Sequence, residues 1–71
     1  MISETGKQLM DMLKEIWYDR DFVCGTMSNA PNDAAWKKMI DYIQIAKRRG
    51  EEVTSDDILA LSIVLGKEIE G

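Results

Sequence analysis

The chain has 71 residues, a mass of 8.1 kDa and a formal charge of -4, with no histidine, one cysteine and one proline. That length fits one small domain and excludes a large enzyme fold with a cofactor domain. The missing histidines remove the usual neutral-pH acid/base group and every Ser-His-Asp or Cys-His arrangement, and a lone cysteine can neither close an internal disulfide nor build a zinc site.

An apolar fraction of 45% and a charged fraction of 31% describe a globular chain. No apolar run is long enough to span a bilayer. The polar start Met1-Ile2-Ser3-Glu4 lacks the basic and apolar regions of a secretory signal, so a cytoplasmic protein is expected. Residues 31–50 carry five basic and two acidic groups, whereas residues 51–71 carry one basic and six acidic groups. Surface-to-mass scaling predicts a folded surface of roughly 4,500 Å². Burial then returns on the order of 105 kcal/mol against an ordering cost of on the order of 105. A marginal monomer follows, or one completed by a partner surface.

The first helix is expected from about residue 4 to residue 18. Ile2, Gly6, Leu9, Leu13 and Ile16 fall on one side, with Met12 and Trp17 flanking and the charged residues away from the stripe. Residues 20–27 allow two readings. Arg20, Val23, Cys24 and Met27 continue the same phase, so the helix could run on. A bend at Tyr18-Asp19-Arg20-Asp21, with Asp19 or Asp21 as cap, would instead make a separate short helix, and this is the favoured reading. Ser28-Asn29-Ala30-Pro31-Asn32-Asp33 reads as a linker, since it holds the only proline among turn- and cap-forming residues.

The next helix is expected over 33–49, with Asn32 as its N-cap. Trp36, Met39, Ile40, Ile43 and Ala46 form its apolar arc, with Ala35 and Tyr42 on the margin. Ile45 points nearly opposite Trp36, out to solvent or to another subunit. Lys47, Arg48 and Arg49 answer the negative end of the dipole, and Gly50 takes the left-handed position after it. The last helix, expected over 55–69, opens on Thr54 as N-cap with Asp57 in the capping-box position. Val53 and Ile58 have the spacing of a hydrophobic staple. Ile58, Leu61, Leu65 and Ile69 make its buried stripe, and Leu59, Ala60, Ile63 and Val64 spread apolar surface over most of the circumference. Gly66 either weakens the last turns or permits a close helix contact. Strand signals are absent. The expected fold is therefore all-α: a compact bundle of three main helices, with or without a short fourth, forming a single domain over residues 1–71.

Candidate chemistry is sparse. Lys47, Arg48 and Arg49, with Lys37 and Lys38, could contact phosphates of nucleic acid, but they also complement their own helix end and the acids that follow. A recognition helix after Gly50 would open on Ser55-Asp56-Asp57 and repel DNA, so base reading by that helix is disfavoured. Cys24 shares the phase of the buried stripe and is expected in the core; a single-thiol reaction is the competing reading. The acidic pairs Asp19/Asp21, Glu51/Glu52 and Asp56/Asp57 match no metal-ligand spacing and are expected as caps and surface. Tyr18 and Phe22 would form an exposed patch only if the first helix runs on; with a bend, Phe22 returns to the core. No catalytic residue, cofactor or metal is expected. The expected role is protein–protein interaction as an adaptor, regulator or homodimer, through a candidate surface of Tyr18, Phe22, Ile45, Leu59 and Ile63. A nucleic-acid-associated regulator using the basic end of the 33–49 helix is the alternative, and thiol chemistry at Cys24 the second.

Overall fold

A computed structural model describes residues 3–16 and 19–70, for Glu70 the backbone alone. Four helices follow one another: α1 (Glu4–Ile16), α2 (Arg20–Asn29), α3 (Asp33–Arg48) and α4 (Ser55–Glu70). No strand occurs among the described residues. A radius of gyration of 11.2 Å matches the ~11 Å of a compact chain of this length.

Each helix start has a local cause in the sequence. Ser3 Oγ accepts from the Gly6 N–H at 3.1 Å and opens α1. The Asp19 carboxylate accepts from the Asp21 N–H at 2.9 Å and opens α2. Asn32, with extended backbone, accepts from the Ala35 N–H at 2.7 Å and opens α3. At α4 the Thr54 hydroxyl accepts from the Asp57 N–H at 3.2 Å, while Asp57 Oδ2 accepts from the Thr54 N–H at 3.3 Å, so the shorter acid still closes the box. The end of α3 is a Schellman motif: Glu51 N–H donates to the Ala46 carbonyl and Gly50 N–H to that of Lys47. Gly50 stands at φ 73°, where a side chain would be strained.

Leu9 and Leu13 of α1, Val23 and Met27 of α2, Met39, Ile40 and Ile43 of α3, and Ile58 and Leu65 of α4 meet in one core. In space the helices form a ring in which α1 neighbours α2 and α3, and α4 neighbours the same two. Ser3 Oγ–H donates to Asp33 at one end of the α1–α3 pair and Lys47 meets Glu15 at the other, so these helices run in the same direction. Lys38, early in α3, lies 3.7 Å from Glu68, late in α4, so that pair is antiparallel. The indole N–H of Trp36 donates to the Met27 carbonyl at 3.1 Å and ties the end of α2 to α3.

The structure corrects several expectations. Helix α2 starts afresh at its Asp19 cap and does not keep the phase that linked Cys24 to the first stripe. Val23, Thr26, Met27 and Ala30 set the buried side of α2, and Cys24 is exposed, not core. The short helix reaches Asn29, two residues beyond the expected end, so Ser28 and Asn29 belong to α2 and not to the linker. Phe22 is half-buried against the core, as the bend reading requires, and does not stand out as an exposed patch. Ile69 is 46% exposed, because α4 outruns the shorter α2. Ile2, Trp17 and Tyr18 lie outside the described residues.

Candidate interaction surface

The outward side of α4 is built by the same periodicity that fills the core. Ile58, Ser62, Leu65 and Gly66 are buried and Leu61 half-buried, a stripe that faces α2 and α3. On the far side of the helix stand Leu59, Ala60, Ile63 and Val64, at the helical spacings that place them on one face. Leu59, Ile63 and Val64 are 41%, 45% and 53% exposed. Asp56 and Lys67, both exposed, bound this face at its two ends. The molecule shows 4967 Å² of surface, about a tenth more than the ~4,500 Å² expected for its mass.

What holds α4 in this orientation is a seam of small and polar residues that the apolar pattern does not reveal. The Asn29 amide donates to Ser62 Oγ at 3.1 Å, and the Ser62 hydroxyl donates to the Leu59 carbonyl at 2.7 Å. Beside them, a Cβ on Gly66 would collide with the Asn29 carbonyl oxygen. The end of α2 thus lies directly on α4 and turns Leu59, Ile63 and Val64 away from the core. A serine and a glycine four residues apart in an apolar helix were the available signal for this contact.

Tyr42 and Ile45 of α3 are also exposed. They follow Lys38 at spacings that put all three on one flank of α3. Since Lys38 pairs with Glu68, that flank borders α4, and the Tyr42–Ile45 ridge runs beside the α4 face. Of the five sequence candidates for the surface, Ile45, Leu59 and Ile63 therefore fall on one side of the molecule. Phe22 lines a shallow groove between α2 and α4 with Thr26, Asn29 and Leu59 at its edge. Val64 and Ala60 complete the face; the sequence grouped them with Leu59 and Ile63 as excess apolar surface but did not place them among the candidate contact residues.

The basic residues are divided. Lys37 and Lys38 stand near the start of α3 and Lys47, Arg48 and Arg49 at its end, so they do not form one continuous patch. Lys38 is paired with Glu68, and Lys47 donates to Glu15 at 3.3 Å. Both pairs are well exposed and contribute about 0–1 kcal/mol each. Cys24 lies beside Met10 and Val23 in a cleft between α1 and α2, with Lys14 and Arg20 at its rim, of about 540 Å³. Among the described residues no group of three or more His, Cys, Asp or Glu side chains could hold a metal ion. Among them, too, no helix is long and apolar enough to cross a membrane.

The class these features define is a small all-helical protein with an apolar outer face on its last helix. No family model, no curated protein and no solved structure matches the chain.

Proposed function

We propose that this protein is a non-enzymatic interaction module that binds another protein surface through the outer face of α4. The observation that carries this is the contiguous set Leu59, Ala60, Ile63 and Val64 on the solvent side of a helix whose opposite side is already buried. Contiguous exposed apolar patches on small proteins mark contact sites, whereas scattered apolar residues do not. The lack of histidine supports the non-enzymatic reading, since no ordinary neutral-pH proton carrier is present.

The size of the effect sets the kind of contact. Fully burying an aliphatic side chain is worth ~1.5–3 kcal/mol, so covering the exposed half of Leu59, Ile63 and Val64 returns roughly 2–4 kcal/mol per face. A partner with a matching face doubles this to roughly 4–8 kcal/mol, against an association cost of ~4–15 kcal/mol. The contact is accordingly a reversible one, completed by Tyr42 and Ile45 across the seam.

Leu59→Glu and Ile63→Glu test the reading. Both variants are expected to stay folded by circular dichroism and to lose no more than about 1–2 kcal/mol of urea stability, because each side chain is only about half-buried. Both are expected to lose a protein that immobilised wild type retains from host extract, while Arg48→Ala with Arg49→Ala keeps it. Unfolding of the two glutamate variants, or undiminished retention by them, removes the proposal.

A further inference from the structure

We infer that the occupant of the α4 face is the α4 face of a second copy, packed antiparallel about a two-fold axis that passes midway between Leu61 and Ser62. The inference rests on the interaction reading above and adds its partner, orientation and register.

The face has a charge order as well as an apolar middle. Along its centre line run Asp56, Ala60, Ile63 and Lys67, with Leu59 and Val64 flanking on either side. The acid and the base stand at opposite ends, roughly 16 Å apart along the axis. Facing a second copy in the same direction would set Asp56 against Asp56 and Lys67 against Lys67. Facing it antiparallel about the stated axis sets each Asp56 opposite a Lys67 of the other copy. The same register sets each Ala60 opposite an Ile63, a small residue against a large one, which lets the two helices interdigitate. Leu59 then approaches its own symmetry mate on one side of the seam, and Val64 its mate on the other. Sliding the pair by one turn keeps the apolar contact but pushes Lys67 onto Leu59 or Asp56 onto Val64. One register therefore satisfies charge, size and apolarity together, and a two-fold contact needs only the one patch that the chain possesses.

The net charge of -4 on each copy opposes association at low salt, but the acids nearest the face do not point into it. Asp57 and Glu68 lie off the centre line towards α3, where Glu68 is already engaged by Lys38. The contact is small beside the ~800 Å² per partner of a standard stable interface, so a weak dimer is expected, half-formed at on the order of 100 µM.

Sedimentation equilibrium of wild type and of Asp56→Lys and Lys67→Glu tests this. The wild-type molar mass is expected to rise from 8.1 kDa towards twice that value between ~10 µM and ~1 mM. Each single variant alone faces like charge with like charge and is expected to dimerise about threefold to tenfold more weakly at low salt. Mixed in equal amounts, the two variants restore both ion pairs in a heterodimer, and association returns to the wild-type level. Should either variant lose helix by circular dichroism, the neutral pair Asp56→Asn with Lys67→Gln serves instead. It carries the same net charge as wild type, so screening of the mutual repulsion is common to both; between ~20 and ~500 mM salt wild type is expected to weaken relative to the variant, because it alone has ion pairs to lose. A wild type that stays at 8.1 kDa throughout overturns the second copy as occupant and leaves the retention experiment on Ile63→Glu to judge the face itself. A wild-type dimer that Ile63→Glu abolishes, with no recovery on mixing, keeps the face and overturns the antiparallel register.

Discussion

Replacing Gly66 by alanine sets two opposed effects against each other in one helix. In an exposed helix interior the change would stabilise by about 0.8–1.0 kcal/mol, because glycine is the poorer helix former. At Gly66 the new methyl group would instead collide with the carbonyl oxygen of Asn29. That atom is backbone at the last turn of α2, so it cannot turn aside as a side chain would. The two helices must separate, at an overpacking cost of about 1–3 kcal/mol. Separation also stretches the 3.1 Å bond from the Asn29 amide to Ser62 Oγ, worth about 0.5–1.5 kcal/mol. The costs exceed the helix gain, and a net loss of roughly 1–3 kcal/mol is expected. Gly25 provides the control within the same molecule: it lies in exposed α2 with nothing within 4 Å of the added Cβ. Gly25→Ala should stabilise by about 0.5–1 kcal/mol. Urea denaturation followed by circular dichroism reads both, and thermal melts should move in opposite directions by several degrees, about 4–8 °C per kcal/mol for a chain of this size. A Gly66→Ala protein as stable as Gly25→Ala would show that α2 does not lie against α4 at this point, and the orientation of the outer face would lose its cause.

Three further outcomes follow from the same contacts. Asn32→Ala removes the acceptor for the Ala35 N–H and should cost about 1 kcal/mol in urea unfolding, with Asn32→Ser nearly neutral. Ile43→Ala empties a fully buried core position and should cost about 2–5 kcal/mol, enough to unfold much of a marginal chain at 37 °C by thermal melt. A gel shift with duplex DNA at ~50 mM salt should show no retardation, because the basic residues of α3 are split between its ends and two are engaged by Glu68 and Glu15; retardation that fades as salt rises would favour the nucleic-acid alternative.

Most of the helical pattern was legible because caps and periodicity speak locally. Asn32, Gly50 and the Thr54/Asp57 pair act on backbone groups within a few residues, so their roles could be read without knowing what packs where. Cys24 was misplaced for the converse reason. Its burial depends on the rotational phase of α2, and that phase restarts at the Asp19 cap. Ile69 was misplaced because burial at the end of α4 depends on the length of its neighbour α2, which no residue of α4 encodes. Of the seam, the close helix contact at Gly66 was one of the two readings the sequence allowed; its partners Asn29 and Ser62 were hidden, since they join across more than thirty positions through polar atoms that add nothing to an apolar stripe. The exposed side of α4 was legible in part: the sequence grouped Leu59, Ala60, Ile63 and Val64 as an excess of apolar positions, and packing against α2 and α3 decided that all four remain exposed.

The most direct test of the α4 face as the contact surface is a dilution series of two-dimensional amide NMR spectra of the full chain, from ~1 mM to ~20 µM, a span that brackets weak association. The expected result is concentration-dependent shifts at Leu59, Ala60, Ile63, Val64 and Lys67, extending to Tyr42 and Ile45, with the α1 residues Lys7, Asp11 and Lys14 unmoved. Shifts confined to α1, or to the cleft around Cys24, would contradict it by placing the contact on another face.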